Sequence, residues 1–233
     1  MKKVLIFIYS FLIITISLSG QKNELITVEA GTLVKSYFPP AVRYRYKYFT
    51  EGTGILKSGD IIHDKFNYNF LLGEMEFIRS KDTLAVTVKE DLRLFTIAAD
   101  TFYYDNGYLE QIRSGKVKVF QKQRFKLKDI LKKGAMGTTA RNTSVDSYNS
   151  VSTMGNFYEL RPEEDWVFQK TIEYYFSNPE NKFILFGRKN AIQAIPGKEE
   201  TIKSYLKSNK VNFESREDIL RLADFMSGLS PDV

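Results

Sequence analysis

Short alternating runs separated by turn residues constrain the fold of this chain more than any other feature. Residues 43–49, RYRYKYF, alternate strictly between charged and aromatic side chains, which is the period of a half-buried strand. Asp105-Asn106-Gly107 is the clearest turn, because Asn-Gly accepts the positive φ angles of a tight hairpin. It predicts strands at 101–104 and 108–113. The first two-thirds of the chain are therefore expected to form an antiparallel meander.

Similar apolar runs predict the remaining strands, and glycines such as Gly52 and Gly54 are expected to supply turns between them. These strands are predicted at 61–62, 66–72, 75–78, 83–88, 92–97, 116–128, 157–160, 167–176 and 182–186. Asn178-Pro179-Glu180-Asn181 is expected to turn between the last two strands. Residues 21–36 carry little pattern.

The end of the chain is expected to be helical. Ile202, Tyr205 and Leu206 share one face of a helix, and Ser215 with Asp218 fits a relaxed capping signature for a final helix. A further short helix is predicted at 188–195. The expected fold class is α+β: an antiparallel β meander or partial barrel, followed by a smaller β-hairpin plus helices unit.

Composition divides the chain into segments. Residues 134–156 are rich in Gly, Ser, Thr and Asn, which favours a flexible segment or long loop. The expected organisation is a signal peptide at 1–19, a β-rich domain at 20–133, the flexible segment at 134–156, and the β-hairpin with C-terminal helices at 157–233. Whether the two β-containing parts are one domain or two stays open at this point.

The first residues have the order of a secretory signal peptide. Lys2 and Lys3 give a positive start, residues 4–18 are apolar, and Ser17 and Ser19 supply the small residues that signal peptidase needs. Cleavage is expected after Ser19, which predicts an exported protein that is periplasmic or secreted.

Two alternatives concern the same segment. Cleavage could follow Gly20 instead, or the apolar run could remain as a membrane anchor. The run is shorter than the roughly 20 apolar residues of a spanning helix and contains Ser10 and Thr15, which favours cleavage. The mature chain is expected to contain no membrane span.

Composition excludes several classes of partner and of stabilising bond. The chain has no Cys, so it forms no disulfide and carries no lipid-modified cysteine. Lys2 and Lys3 account for a third of the formal charge of +6, so the mature domain is only mildly basic. Export together with this low surplus argues against a nucleic-acid partner.

Sequence motifs favour neither a metal site nor a catalytic set. His63 is the only histidine, so a zinc site built from His and Cys cannot form, and no Asp-x-Asp-x-Asp-Gly calcium loop is present. A nucleophilic triad would have to use His63, and there is no Gly-x-Ser-x-Gly elbow. We expect no catalytic residues, no metal and no cofactor.

Glu74 and Glu76 are the exception that keeps an enzyme alternative open. On a strand both would face the same side, with Cβ atoms about 7 Å apart, near the spacing of an inverting glycosidase. The commoner arrangement is a solvated strand face with Met75 and Phe77 directed inward.

Two basic stretches are the candidate binding residues. Arg43, Arg45 and Lys47 would share one strand face, with tyrosines on the other, and cations beside aromatic rings can bind anionic sugars or phosphates. A denser cluster follows, with only Asp129 opposing it. It comprises Lys116, Lys118, Lys122, Arg124, Lys126, Lys128, Lys132 and Lys133. Solvated strand faces that block aggregation are the alternative interpretation of both stretches.

Three segments resemble a group of uncharacterised exported proteins of Bacteroidota. They are FNYNFLLGEMEF at 66–77, GAMG at 134–137 opening a Ser/Thr-rich stretch, and IKSYLKSNKVNF at 202–213 followed by EDILRL at 217–222. Together they span most of the mature chain. The resemblance implies a bacterial cell envelope, and implies neither an activity nor functional residues.

Three functions therefore compete. The first is a non-catalytic binding or interaction module whose candidate residues Arg43, Arg45, Lys47, Lys118, Lys122 and Arg124 meet an anionic envelope component or envelope protein. The second is a carboxylate-dependent enzyme acting on glycans through Glu74 and Glu76. The third is a structural accessory of an outer-membrane complex that docks through the C-terminal helices.

Overall fold

A computed structural model describes residues 25–133, 139–141, 159–177 and 182–230. Within these residues, strands dominate, and α-helices are confined to a short turn near residue 40 and to the C-terminal part. Short 3₁₀ helices lie at Val34–Tyr37 and Lys89–Asp91. The strands are β1 (Leu25–Val28), β2 (Thr50–Leu56), β3 (Ile61–Asn69), β4 (Glu74–Arg79), β5 (Asp82–Ala85), β6 (Leu92–Ile97), β7 (Asp100–Tyr104), β8 (Tyr108–Arg113), β9 (Val119–Lys133), β10 (Thr139–Arg141), β11 (Asp165–Ser177) and β12 (Phe183–Leu185). The α-helices are α1 (Pro40–Arg43), α2 (Arg188–Ile192), α3 (Glu199–Ser208) and α4 (Arg216–Leu229).

All of these strands belong to one antiparallel sheet. Its order is β1-β11-β9-β8-β7-β6-β2-β3-β4-β5, with β10 added to β9 and β12 added to β11. Chain neighbours pair through most of the sheet, as expected for a meander. The longest pairing joins β9 to β11, and it includes a register shift between Val167 and Phe168. Strands from before and after the predicted flexible segment therefore share one sheet.

The predicted hairpin between β7 and β8 is confirmed. Asn106 and Gly107 have φ angles of 47° and 120°, which is the left-handed backbone that an Asn-Gly turn accepts. Tyr104 pairs with Tyr108 across the turn. The sequence of this turn therefore sets the register of both strands.

A first hydrophobic cluster, here called the β core, is built from strands and from the segment before β2. Phe38 illustrates its packing, because its ring meets the edges of Phe125 at 4.9 Å and Phe168 at 5.2 Å. The buried members are Val28, Val34, Phe38, Phe66, Tyr68, Phe70, Leu71, Met75, Val86, Leu92, Phe95, Ile97, Phe102, Tyr108, Phe125 and Phe168.

A second hydrophobic cluster, here called the helical cluster, packs α2, α3 and α4 against one end of the β9–β11 pair. Tyr205 stacks on Phe225 at 4.0 Å between the two longer helices. The buried members are Val117, Val119, Tyr174, Phe176, Phe186, Ala191, Ile195, Ile202, Leu206, Ile219, Leu222, Ala223 and Met226.

The β9–β11 pair is shared by both clusters. On β11, Phe168 lies in the β core, whereas Tyr174 and Phe176 lie in the helical cluster. All three have even numbers, and alternate residues of a strand share a face. One face of one strand therefore covers the β core at one end and the helices at the other.

The predicted C-terminal helices are confirmed. At the start of α4, the Ser215 hydroxyl accepts a hydrogen bond from the Asp218 backbone N–H at 3.3 Å, which satisfies one of the free donors of the first turn. Ile202 and Leu206 are buried along α3, as their spacing predicts.

Several sequence expectations differ from the structure, and the glycines give the clearest physical reason. Gly52 and Gly54 lie inside β2 rather than in turns. A Cβ on Gly52 would come within 2.7 Å of the Thr96 backbone oxygen, and one on Gly54 within 2.6 Å of the Phe95 ring. Close packing on β6, rather than turn geometry, explains these two residues.

The predicted strand at 43–49 is also wrong as a regular element. Residues 40–43 form α1, Tyr44 makes an isolated bridge with Asn69, and residues 45–48 are bent. Leu25–Val28, where the sequence carries little pattern, is a strand because it pairs with Trp166 and its neighbours on β11. In these two segments, pairing with a distant strand decides whether a strand forms, and local alternation of the sequence does not.

Part of the sequence prediction falls outside the described residues. The flexible segment predicted at 134–156 lies outside them except for β10, which pairs with β9. The turn at 178–181, residues 157–158 of the strand predicted at 157–160, and the signal peptide also lie outside, and the described residues 159–160 are not in a strand. Among the described residues, no helix combines the length and apolar character that crossing a bilayer requires.

Candidate functional site

The first predicted basic stretch runs beside β3 and is held there by Asn67. The Asn67 amide donates to the backbone oxygens of Tyr46 at 2.9 Å and Tyr48 at 3.3 Å, and its Oδ1 accepts from the Tyr46 N–H at 3.0 Å. Asn67 is buried. One side chain thereby replaces the ladder hydrogen bonds that a regular strand would supply at this position.

Arg45 is committed to an internal ion network. Its Nη2 donates to Glu110 Oε1 at 2.9 Å and to Asp100 Oδ2 at 3.2 Å, and its Nε donates to Glu110 Oε2 at 3.2 Å. Hydrogen bonding to Glu110 raises the pKa of Arg45. Gln121 and Tyr46 complete the network by donating to Glu110 and Asp100. The structure gives Arg45 these partners inside the protein.

Tyr44 and Glu76 form a second buried polar group. The Tyr44 hydroxyl donates to Glu76 Oε2 at 2.7 Å, and the Asn69 amide donates to Glu76 Oε1 at 3.1 Å. Burial raises the pKa of Glu76 and, together with that hydrogen bond, the pKa of Tyr44. Both oxygens of this carboxylate are therefore engaged by neighbouring side chains.

The two carboxylates of the enzyme alternative have different surroundings. Glu76 is buried, whereas Glu74 is a quarter exposed and pairs with the Lys89 ammonium through Oε1. Glu76 thus holds Tyr44 and Asn69 in place rather than lining a solvated face beside Glu74. The arrangement can position side chains, and it assigns no acid–base pair to these two residues.

Lys122, a predicted binding residue, is only 7% exposed. Its ammonium donates to the backbone oxygens of Asp105 at 3.1 Å and Asn106 at 3.0 Å, and it lies 5.0 Å from the Tyr175 ring centroid. Burial lowers the pKa of Lys122. The structure therefore uses this side chain to hold the β7–β8 turn against β9.

The other lysines of the denser cluster differ in exposure. Lys126 forms an ion pair with Glu173 of β11, and Lys132 pairs with Glu164 at 3.2 Å. Lys128 is exposed and Lys118 is half-buried. Burial alone would raise the pKa of Glu173, but the hydrogen bond and charge of Lys126 outweigh it and lower that pKa. The face is therefore partly neutralised.

Arg43 and Arg124 share a feature that the other candidates lack. The Nε atom of each is buried and has no hydrogen-bond partner within the described structure. The Arg43 guanidinium lies 4.9 Å from the Tyr44 ring centroid, and its charge lowers the pKa of Glu76 against the effect of burial. Both side chains are half-buried, so part of each guanidinium side chain is accessible while its Nε donor is unused within the described structure.

Phe70 connects the two basic stretches. Its backbone N–H donates to the Arg43 oxygen at 2.7 Å, and its oxygen accepts from the Phe125 N–H at 2.9 Å. Two strand spacings separate the backbones of Arg43 and Phe125 by about 10 Å. Arg43 and Arg124 therefore lie about two strand spacings apart, with the Phe70 backbone between their rows, although 81 positions separate them in the chain.

Lys47 lies further along the first stretch and is exposed. Its ammonium is 5.2 Å from the ring centroid of Tyr48, a side chain that is itself 70% exposed. This pair is the most solvated combination of cation and aromatic ring in the stretch 43–49. Of the six predicted binding residues, Arg43, Lys47, Lys118 and Arg124 keep partly or fully accessible side chains, whereas Arg45 and Lys122 are used internally.

Sequence reasoning missed the residues that organise this region. The sequence pattern does not mark Glu110, Asp100 or Asn67 as site residues, because each is a single polar residue within an ordinary strand pattern. A signal was present at Glu110, which lies at a position that alternates with the apolar Tyr108 and is therefore expected to be buried. A charged residue at an inward position requires a partner, and Arg45 is that partner.

The C-terminal helices use their apolar faces inside the protein. Ile219, Leu222 and Met226 of α4 are fully buried in the helical cluster, and Ile202 and Leu206 of α3 join them. Docking of these helices on a partner would therefore have to use their polar faces.

Comparison with known proteins gives no relative for this arrangement. No protein-family model, curated protein or solved structure matches the chain significantly. Within the residues that the structure describes, no group of three or more His, Asp or Glu side chains is suited to hold a metal ion.

Proposed function

We propose that this protein is an exported, non-catalytic binding module that recognises an anionic group on a cell-envelope glycan through Arg43 and Arg124. The observation that carries the proposal is the pair of buried Nε donors that have no partner among the described residues and whose backbones lie on either side of Phe70. A buried donor without a partner costs free energy, and guanidinium groups bind phosphate and carboxylate oxygens with well-defined geometry.

Exposed cations nearby support the same ligand class. Lys128 lies on β9 beyond Arg124, and Lys47 lies beyond Arg43 on the first stretch. Such groups attract an anionic polymer without fixing its orientation, whereas half-buried arginines fix it. The mildly basic mature domain and the predicted export agree with a negatively charged envelope component as the partner.

We also propose that the strands up to residue 133 form a partial barrel around the β core. The hydrogen bond between Phe125 of β9 and Phe70, the residue after β3, supports this closure, because four strands lie between β9 and β3 in the sheet order. The Tyr68 hydroxyl also donates to the Gln123 backbone oxygen at 2.8 Å. In this arrangement the smaller unit of β12 and the helices would follow at one end.

Retention on immobilised lipopolysaccharide tests the binding proposal. The variants Arg43→Gln and Arg124→Gln are compared with Arg93→Gln, which removes the same charge from an exposed position on β6. Loss of one charge-assisted hydrogen bond should weaken binding about tenfold for each site variant. Arg93→Gln should bind as the unchanged protein does, at matched ionic strength.

A second variant separates geometry from charge. Arg124→Lys keeps the positive charge but has no Nε donor, so binding should still weaken severalfold if the guanidinium is recognised. Equal retention of Arg43→Gln, Arg124→Gln and Arg93→Gln, with unchanged circular dichroism, would contradict the proposal.

A further inference from the structure

Tyr44 contacts two oppositely charged side chains. Its hydroxyl donates to Glu76 Oε2 at 2.7 Å, and its ring centroid lies 4.9 Å from the Arg43 guanidinium carbon. Among the described residues, the buried Nε atom of Arg43 nevertheless has no hydrogen-bond partner. Burial raises the pKa of Glu76 and the Arg43 charge opposes this rise, in agreement with their proximity. Buried charges in proteins are generally paired, so the separation of these two groups requires a cause.

The backbone brings Tyr44, Asn69 and Glu76 to one face. Tyr44 forms an isolated antiparallel bridge with Asn69, and residues opposite each other in such a bridge project to the same side. Glu76 pairs with Asn67 in the β3–β4 ladder, so it lies diagonal to Asn69 on that face. The Asn69 amide donates to Glu76 Oε1 at 3.1 Å. Each oxygen of the carboxylate thus receives one neutral donor from a neighbouring row.

The position of the Tyr44 ring follows from the end of α1. Arg43 is the last residue of this helix and Tyr44 is already extended, with φ of −106° and ψ of 149°. Consecutive side chains of a regular strand face opposite sides, whereas this change of backbone leaves the guanidinium beside the ring. Phe49 meets the ring edge to face at 5.3 Å. The phenol is therefore held against Glu76 while the Arg43 side chain stays next to it.

Arg45, two residues further along, shows the alternative arrangement. Its guanidinium donates to both oxygens of the buried Glu110, at 2.9 Å and 3.2 Å. Gln121 donates to Oε2 of this carboxylate at 3.0 Å, and in the described structure Oε1 is left to Arg45. A buried glutamate here binds an arginine directly where one of its oxygens lacks a neutral donor. Both oxygens of Glu76 have such a donor.

Removal of the Tyr44 hydroxyl would leave Glu76 Oε2 without its donor. A buried carboxylate oxygen in that state costs free energy, and a charged donor compensates for this cost better than a neutral one. The unused Arg43 Nε is the charged donor beside the same ring. We propose that Tyr44 is a positioning residue, which keeps Arg43 available for an anion by supplying Glu76 with a neutral donor. This inference rests on the anion-binding role of Arg43 proposed above.

The first readout requires no ligand. In protein labelled with ¹⁵N-arginine, the Nε–H resonance of Arg43 is assigned from its loss in Arg43→Gln. Tyr44→Phe keeps the ring and removes the donor, so the Arg43 Nε–H should shift downfield and exchange more slowly with water as it binds Glu76. Adding Glu76→Gln to Tyr44→Phe should reverse both changes, because the amide has no charge that recruits the guanidinium.

Retention on immobilised lipopolysaccharide is the second readout. Tyr44→Phe should weaken retention about tenfold, as Arg43→Gln does, because the guanidinium is then occupied within the protein. The double variant Tyr44→Phe/Glu76→Gln should restore retention to the level of the unchanged protein. Recovery by a second substitution separates a positioning role from a general loss of structure.

Tyr46→Phe is the matched control on the same stretch of chain. The Tyr46 hydroxyl donates to Asp100 at 2.7 Å, and Asp100 also accepts from Arg45 at 3.2 Å. Its removal therefore leaves the surroundings of Glu76 intact. This variant should change neither the Arg43 resonance nor the retention.

The two proposals fail in different ways. Equal retention of Arg43→Gln and the unchanged protein would contradict the anion-binding role of Arg43, and with it the purpose assigned to Tyr44. If retention depends on Arg43 but Tyr44→Phe leaves the Nε–H resonance and its exchange unchanged, the positioning role alone is overturned. Loss of retention in Tyr44→Phe that Glu76→Gln does not restore would overturn it equally, because Tyr44 would then act through the fold rather than through Glu76.

Discussion

The β core and the helical cluster share the β9–β11 pair but are filled with different kinds of side chain. Nine of the sixteen buried residues of the β core are Phe or Tyr, against three of thirteen in the helical cluster. Rings from the strands and from the segment before β2 meet edge to face, as Phe38 does with Phe125 of β9. The helices instead bring shorter side chains such as Ile219 and Leu222. Strand packing here depends on a few large rings, and helix packing on many smaller contacts.

The two regions also differ in the number of polar side chains that they bury. The buried polar or charged residues of the described structure all lie on strands. They are Asn67, Asn69, Glu76, Glu110, Gln121 and Lys122. Networks of this kind fix one arrangement of a surface, whereas an apolar helix interface mainly contributes stability. The buried polar networks therefore lie on the β side, whereas the described helices contribute mainly apolar side chains to the interior.

The largest expected effect comes from removing a central ring of the β core. Phe38→Ala deletes the edge contacts to Phe125 and Phe168, and a buried Phe→Ala change costs about 3–5 kcal/mol. Urea unfolding followed by Trp166 fluorescence measures the loss, since Trp166 is the only tryptophan and packs against this core. A loss below about 1 kcal/mol would show that the aromatic packing of the β core is not decisive.

The equivalent change in the helical cluster should cost somewhat less. Leu222→Ala leaves a smaller cavity among side chains that can partly close it, so we expect about 3 kcal/mol. Because β9 and β11 cover both clusters, the unfolding curves from Trp166 fluorescence and from helical circular dichroism should coincide. Two separate transitions would instead make the helices an independent folding unit.

The elements that sequence reasoning predicted well are those with local causes. The β7–β8 hairpin follows from the positive φ that Asn106 and Gly107 accept, and the start of α4 follows from the Ser215 cap. In both cases the chemistry that ends or begins the element lies within a few residues. No distant contact was needed to identify them.

The elements that escaped prediction have distant causes. β1 carries little pattern of its own and is a strand because β11 pairs with it. Gly52 lies in a strand because β6 approaches too closely for a Cβ. In the candidate site, residue type alone marked Arg43 and Arg124, but it could not distinguish them from Arg45, whose partner Glu110 lies 65 positions away.

A third prediction concerns the ion network, where the expected effect is intermediate. Arg45→Met leaves Glu110 buried without its cation, and we expect a loss of about 2 kcal/mol because Arg45 is itself a third exposed. Arg93→Met is the control for removal of an exposed arginine and should change stability by less than about 0.5 kcal/mol. The measurement is the urea midpoint of each variant.

Restoring the charge balance sharpens this prediction. Glu110→Gln in the Arg45→Met background removes the isolated carboxylate and should recover part of the lost stability. The free energy of unfolding of the double variant is compared with the sum of the two single losses. A loss larger than that sum would mean that Gln121, rather than Arg45, chiefly holds Glu110.

The smallest expected effect is a difference in pH dependence between two glutamates, Glu76 buried on β4 and Glu173 on β11, which pairs with Lys126. Burial raises the pKa of Glu76 above its ordinary value of 4.5, so its contribution to stability is present below that value and is lost as pH rises through the raised pKa. The free energy of unfolding of the unchanged protein, relative to Glu76→Gln, should therefore fall from about pH 4.5 upward.

Glu173 should behave in the opposite way. Its pKa is lowered below 4.5 by Lys126, so its contribution is present above 4.5 and is lost as pH falls through the lowered value. Relative to Glu173→Gln, the unchanged protein should therefore lose stability only on acidification. Urea unfolding of both variants between about pH 3 and 7 measures the two slopes. Slopes of the same sign would mean that the buried carboxylate of the core and the paired carboxylate of the outer strand face are in equivalent electrostatic surroundings.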